Sequence, residues 1–334
     1  MLNFYKLMFF ITLVIGTLIA ISSYSWFSMW MGLEINLLSI IPLMSDSKNL
    51  YPAESALKYF ITQTLASNIL LFSILLSLNF KENFIPNNFL LLILNSALLT
   101  KMGAAPFHSW FPEVMEGLNW FNSLIMLTWQ KIAPMILLCY NCHFSMFFLT
   151  IILLSTVVSG IMGLNQISLR KIMAYSSINH ISWMLASMLN SQTIWIFYFF
   201  IYSIISINII WLFKKLEIFT LYQLYFSLNS KKTIKLFFLI NFLSLGGLPP
   251  FLGFFPKWLV INNLLQNNFY LLSTLLIIFT LITLFFYLRI TFTSLVINFS
   301  ENLNLISPTI SFYMIFFNFI SLSGLIFCTI LFSM

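Results

Sequence analysis

What most limits the fold of this chain is a succession of apolar runs, each of about 20 residues, the length of helix that crosses the hydrocarbon core of a bilayer. They fall at about 4–22, 25–45, 53–79, 88–108, 119–140, 144–165, 168–190, 192–214, 235–263, 267–290 and 308–333. Short turn signals separate them, among them Ser22-Ser23, Asn165-Gln166, Asn190-Ser191 and Ser307-Pro308. The expected fold is an all-α polytopic membrane protein of about eleven transmembrane helices. Charge agrees with this. Only 7% of the 334 residues are charged, against about 25% in a soluble chain, too few to cover a solvated surface.

The fourth run ends in Lys101-Met-Gly103-Ala-Ala-Pro106-Phe107-His108-Ser-Trp-Phe111-Pro112. A lysine at the centre of a membrane helix costs about 2.5–3.5 kcal/mol on insertion scales. Proline removes a backbone donor, and the carbonyl it frees must find a partner in protein or water. Both features in one span point to a polar cavity inside a helical bundle. The stretch has an echo at Leu245-Gly-Gly247-Leu-Pro-Pro250-Phe251-Leu-Gly-Phe-Phe255-Pro256. Gly103, Pro106, Phe107, Phe111 and Pro112 match Gly247, Pro250, Phe251, Phe255 and Pro256. Paired hydrophobic segments interrupted by Gly and Pro are the best sequence pointer to a transport site between two repeats. With eleven spans the two interrupted helices, the fourth and the ninth, run in opposite directions, so the five-helix repeats are expected to be inverted. The expected division is 1–143 for the first repeat, 144–290 for the second and 291–334 for a C-terminal loop and helix.

The net charge of +7 does not signal nucleic acid, because most basic residues fall in short loops, the pattern that sets topology. Lys6, Lys48, Lys58, Arg170, Lys171, Lys214, Lys215, Lys231, Lys232, Lys235 and Arg289 fall on the side of the N-terminus, against Lys81 opposite. The N-terminus is then expected in the cytoplasm or matrix and the C-terminus outside. No charged pre-sequence precedes the first run, which fits synthesis inside the compartment whose membrane the chain enters. The polar connection at about 214–235 is expected at the membrane interface.

Lys101, Lys131 and Lys257 belong to no loop, and Glu34 and His180 lie within the second and seventh runs. Glu34, Lys131 and His180 sit within about two residues of their helix midpoints, and Lys101 is about three residues off, or about 4.5 Å at 1.5 Å per residue. Titratable groups from four helices at one depth are suited to moving protons. Burial disfavours a charged amine and a nearby carboxylate favours it, so the separation of Glu34 from Lys101 is expected to load or empty the lysine. Plainer alternatives stand beside this. Glu34 and Lys101 form a structural ion pair, Lys257 snorkels to the interface beside Trp258, and His180 is a satisfied helix-contact residue. His108, Glu113 and Glu116 are expected in a loop, the two glutamates solvated.

Cys139-Tyr-Asn-Cys142-His143 matches the C-x-x-C-H haem-attachment pattern, but the short connection after it leaves no room for a haem pocket. Cys328 is distant, so no metal cluster follows. No dinucleotide fingerprint, phosphate loop or nucleophile elbow occurs.

Taken together, Met31-Gly-Leu-Glu34-Ile-Asn36, Lys101-x-Gly-Ala-Ala-Pro-Phe-His108, Trp129-Gln-Lys131-Ile-Ala-Pro134, Ser176-Ser-Ile-Asn-His180 and Gly246-Gly-Leu-Pro-Pro-Phe251 resemble the chain 2 family of mitochondrial NADH:ubiquinone oxidoreductase (respiratory complex I), over essentially the whole chain. Abundant Phe, Ile, Leu, Asn and Met look like an organelle-encoded invertebrate version. The resemblance implies an antiporter-like, proton-pumping subunit with no cofactor of its own, with NAD, FMN, iron–sulfur clusters and ubiquinone handled by other subunits. It implies that Glu34 is the family's carboxylate, Lys101 the lysine near the first break, Lys131 the connecting lysine and Lys257 the lysine near the second break. It implies neighbours among the membrane-arm subunits, other antiporter-like chains included, contact with phospholipids, and the mitochondrial inner membrane as location, with the N-terminus in the matrix and the C-terminus toward the intermembrane space. It also implies that three N-terminal helices of bacterial relatives are absent. A free-standing cation/proton antiporter and a non-catalytic membrane scaffold are the alternatives.

Overall fold

A computed structural model of the chain describes residues 4–45, 49–79, 87–142, 145–228 and 232–296, with four positions between 316 and 321. Nearly all of the eleventh predicted run, and Lys48, Lys81, His143 and Lys231, lie outside the described residues. Among the described residues the regular structure is helix, apart from one isolated antiparallel bridge between Ser168 and Thr220. Seven of the described helical segments are long and apolar enough to cross a membrane. The chain divides into two compact units, Met1–Phe148 and Leu149–Met334.

In the first unit, α1 (Phe4–Ser22) and α2 (Trp26–Met44) form a tight pair. Ser25 starts α2 by accepting from the Ser28 amide at 3.3 Å, serving one of the donors that every helix N-terminus leaves over. Glycine lets the two backbones touch. A Cβ on Gly32 would lie 2.5 Å from the Ala20 nitrogen, and one on Gly16 would lie 2.9 Å from the Asn36 nitrogen. Small residues at such crossings are how membrane helices gain close packing where water supplies no driving force. Next come α3 (Leu50–Asn79), α4 (Asn87–Met102) and the short α5 (Trp110–Gly117).

The predicted helix at 119–140 is divided at Thr128 into α6 (Trp120–Leu127) and α7 (Trp129–Cys139). This interruption adds to the two expected from Gly and Pro. Thr128 is distorted within the right-handed helical region (φ −115°, ψ −71°); its amide keeps the Leu124 carbonyl at 3.0 Å, and its hydroxyl donates to the same carbonyl at 2.8 Å. Six residues on, Pro134 removes the donor that would serve the Gln130 carbonyl.

The second unit is entered along α8 (Ser145–Leu164) and is built around α9 (Leu169–Met188), which is buried on all its faces. Against it pack α10 (Gln192–Leu216), α13 (Phe254–Gln266) and α14 (Tyr270–Val296), while α11 (Leu221–Leu228) packs on α14 and α12 (Lys232–Gly246) on α10 and α14. Lys214 and Lys215 occupy the last turn of α10, where positive charge complements the exposed carbonyls. The chain turns there through Glu217 at φ 51°. It is pinned by the Leu169 amide to the Phe219 carbonyl at 3.0 Å and the Leu221 amide to the Ile167 carbonyl at 3.1 Å. The predicted ninth run, 235–263, is two helices, α12 and α13, separated by the second Gly-Pro stretch.

Candidate functional site

At the first break α4 ends one residue past Lys101. Gly103 adopts φ +75°, a conformation open to glycine at little cost. Its amide donates to the Thr100 carbonyl at 3.1 Å, and the Ala104 amide reaches back to Leu99 at 3.1 Å. This is the paired-bond helix stop known as a Schellman motif. The second break repeats it bond for bond. Gly247 is at φ +78°, with its amide on Ser244 at 3.0 Å and the Leu248 amide on Leu243 at 3.3 Å. A cis peptide bond follows each glycine, at Ala105-Pro106 and at Pro249-Pro250. The sequence echo is thus an echo of local backbone geometry.

The two breaks differ in where the lysine stands. Lys101 precedes the first break and is buried. Its carbonyl accepts from the Gln63 amide at 3.2 Å, and the Trp110 indole serves the Thr100 carbonyl at 3.1 Å. Lys257 follows the second break, in the first turn of α13, and folds back across it. Its Nζ donates to the Gly246 carbonyl at 2.8 Å and to Leu245 at 3.4 Å. It also lies 5.9 Å from the centre of the Trp183 ring. The amine does not snorkel. Lys257 is 9% exposed, while neighbouring Trp258 is 47% exposed.

Glu34 and Lys101 do not form a direct ion pair. The Glu34 Oε1 is buried without a hydrogen-bond partner, a costly arrangement for a carboxylate. Lys131 on α7 is 1% exposed, with its amine 5.6 Å from the centre of the Phe111 ring. Phe111 also covers Gly103, whose hypothetical Cβ would meet it at 3.1 Å. One aromatic side chain therefore packs against both the first break and Lys131.

In the second unit the His180 Nδ1 lies 2.9 Å from the Tyr198 hydroxyl, and its ring centre lies 4.9 Å from that of Tyr202. Asn179 donates to the Thr283 hydroxyl at 3.0 Å. Together α9, α10 and α14 surround a buried polar cluster containing the histidine. His108 hydrogen-bonds the carbonyl of Pro106 at 3.3 Å within the first break.

Sequence reasoning missed a set of uncharged polar residues. Gln130 donates through Nε2 to the Asn36 Oδ1 at 2.7 Å and accepts through Oε1 from the Tyr59 hydroxyl at 3.4 Å. Asn36, Tyr59, Gln63, Lys101, Gln130 and Pro134 line a small cavity of about 10 Å³, which admits about one water molecule. The available signal was their position: Gln130 adjoins Lys131, and Asn36 lies two residues from Glu34. Glu113, expected in a loop, is on α5 and bridges to Lys58 at 3.1 Å, and Lys58, expected in a loop, is on α3 and also pairs with Glu54 at 3.1 Å. These groups are exposed, and exposed ion pairs contribute little. Cys139 and Cys142 are free thiols, and Cys142 Sγ donates to the Leu138 carbonyl at 3.1 Å.

Both interrupted helices and the three buried lysines lie within residues 23–283, which match the family model described as NADH:quinone oxidoreductase/Mrp antiporter, TM, and so place the chain among membrane subunits of that class. In fold, the chain is similar to a chain of respiratory complex I from Thermus thermophilus with bound aureothin. The TM-score is 0.85 at 23% identity, covering 97% of this chain and 78% of that one. It is also similar to a chain of the Mrp complex from Dietzia sp. DQ12-45-1b, at TM-score 0.76 and 16% identity, covering 87% of this chain and 60% of that one. In sequence it is 51% identical over 331 residues to NADH-ubiquinone oxidoreductase chain 2 of Aedes aegypti, covering 97% of each chain. It is 49% identical over 325 residues to its counterpart in Anopheles gambiae, covering 95% of each. The chain belongs to the NADH-ubiquinone oxidoreductase chain 2 family and is a multi-pass membrane protein.

Proposed function

We propose that the chain is a proton-translocating membrane-arm subunit of a mitochondrial NADH:ubiquinone oxidoreductase. Family membership supports the assignment to the enzyme. The observation that carries proton transfer is the burial of Lys101, Lys131 and Lys257, with Lys101 and Lys257 at helix interruptions. Keeping amines out of water is costly, and helix capping accounts for Lys257 alone of the three. Glu34, Lys101, Lys131 and Lys257 are the proposed proton-carrying groups, with His180 a further member. Movement of Glu34 toward or away from Lys101 alters how firmly that lysine holds its proton, at about 1.36 kcal/mol for each tenfold change in equilibrium.

The electrons are proposed to travel elsewhere, through subunits that hold NAD, FMN, iron–sulfur clusters and ubiquinone, and the partners are other membrane-arm subunits and phospholipids. The proposed location is the mitochondrial inner membrane, with the N-terminus in the matrix and the C-terminus toward the intermembrane space. Loop charge supports that orientation. Two inverted five-helix repeats, 1–143 and 144–290, with 291–334 as an added segment and about eleven spans in all, are proposed from the recurring break.

The deciding experiment is Lys101→Met in the assembled enzyme, reconstituted in vesicles. Loss of proton translocation with assembly retained supports the proposal, and an unchanged ratio of protons to NADH sinks it. The family model's description, which also names the Mrp antiporter, supports a free-standing cation/proton antiporter as the second reading. Exchange of Na⁺ for H⁺ by the isolated chain in liposomes would select it.

A further inference from the structure

We propose that Gln130 is a positioning residue for the proton-carrying groups: its side-chain amide ties the helix of Glu34 to the helix of Lys131, and with Tyr59 it holds one water molecule against Lys101. The inference deepens the proposed function and rests on it.

Three independent features converge here. The first is the amide itself. Its oxygen accepts from the Tyr59 hydroxyl at 3.4 Å and its nitrogen donates to Asn36 Oδ1 at 2.7 Å. The group is thereby fixed in one orientation and joins α7 to both α2 and α3. The second is Pro134, which lacks the amide hydrogen that would serve the Gln130 carbonyl four residues back. In membrane helices such freed carbonyls are served by neighbouring side chains or ordered water. The third is the cavity. Gln130, Pro134, Tyr59, Asn36 and Lys101 share its wall, and its volume of about 10 Å³ suits about one water with two to four polar partners.

The chemistry follows from this geometry. A water that donates one hydrogen to the main-chain carbonyl of Gln130 and the other to the Tyr59 oxygen, whose own hydrogen is on Gln130 Oε1, keeps a lone pair to accept a hydrogen bond from the Lys101 ammonium. Once the lysine's proton has passed to the next carrying group, the water's hydrogen on Tyr59 turns to the neutral amine nitrogen. The glutamine carries no proton itself. It sets where the water stands, and it keeps Asn36, two residues from Glu34, in step with Lys131, its own neighbour in sequence.

The test uses the assembled enzyme in vesicles, with Gln130→Met, Gln130→Glu and Tyr59→Phe compared with Lys101→Met. Losing one hydrogen bond of about 0.5–1.5 kcal/mol corresponds to about a two- to tenfold fall in rate. Tyr59→Phe, which loses one of these bonds, is therefore expected to slow coupled turnover by that factor, and Gln130→Met, which loses both, by more; both are expected to alter its pH profile. A glutamic acid can donate to Asn36 only when protonated, so Gln130→Glu is expected to work better as pH falls, a dependence that Gln130→Met lacks. Should Gln130→Met fail to assemble, Tyr59→Phe, which keeps the ring, decides alone. Wild-type rate and pH profile in Tyr59→Phe and in every assembled Gln130 variant, with Lys101→Met inactive, would overturn the role of Gln130 and leave the function standing. Normal pumping by Lys101→Met would remove the function itself.

Discussion

Lys257 donates to the carbonyl of Gly246 at 2.8 Å, so a side chain from the helix after the second break closes the end of the helix before it. A buried charged group is thus held by the backbone carbonyls that a helix terminus leaves over. The amine that is proposed to carry a proton is also what holds the break together.

Lys257→Met should therefore cost more than proton transfer. Hydrogen bonds from a charged donor contribute about 1.5–3 kcal/mol, and that much stability should be lost as the Gly246 and Leu245 carbonyls lose their donor. Lys257→Arg should recover part of it. Thermal denaturation of the assembled complex, run beside a pumping assay, separates the two effects. Unchanged stability in Lys257→Met would contradict the capping role.

The glycines of the two breaks should respond differently to alanine. Both pay about 1–2 kcal/mol for a left-handed non-glycine residue. At Gly247 the new Cβ would lie 2.8 Å from Lys257 Cδ and 2.9 Å from Nζ, while at Gly103 it would meet Phe111 Cβ at 3.1 Å. Gly247→Ala is expected to displace the amine and reproduce the coupling defect of Lys257→Met. Gly103→Ala is expected to lower stability with a smaller loss of coupling. Equal coupling defects in the two variants would refute this asymmetry.

Gly32→Ala should push α1 from α2. Its Cβ would be 2.5 Å from the Ala20 nitrogen and 2.8 Å from Ala20 Cα, so backbone must move, at about 1–3 kcal/mol for overpacking. Glu34 lies two residues on and moves with α2. A fall in the yield of assembled complex and in its melting temperature is the expected measurement, with Leu38→Ala, at an exposed position of the same helix, as the milder control.

Cys142 lies beyond the end of α7, and burial pushes its thiol up to about 11. The thiolate is the reactive form, so alkylation should be slow near neutral pH and accelerate steadily until the pH approaches about 11. Peptide mass spectrometry after short exposure to iodoacetamide over a pH series checks this. Rapid, pH-independent labelling at neutral pH would contradict it.

Much of this was legible in the residues. The run at 4–22 coincides with α1, and Gly103-Pro106 and Gly247-Pro250 announced both breaks, because a donor-less proline and a left-handed glycine leave plain marks in sequence. The interruption at Thr128 left none, since the residue there looks like any other threonine in an apolar run. Nor could periodicity reveal the pairing of Gln130 with Asn36, 94 residues apart, which depends on how three helices pack. For Lys257 the residues left two readings, a buried proton carrier and a lysine snorkelling outward. Its sequence neighbour Trp258 suggested an outward path, and only the placement of α12 supplies the carbonyls that draw it inward.

The burial of α9 on every side bears on how the protein is made. Leu169–Met188 is not among the helices apolar enough to cross a membrane by composition, so lipid alone gives it little reason to insert. Its Asn179 waits for Thr283, 104 residues later in the chain, and His180 for Tyr198 on the following helix. Biosynthesis must therefore shelter this segment until much of the second unit has emerged, and the helix settles in the bilayer as a guest of its neighbours.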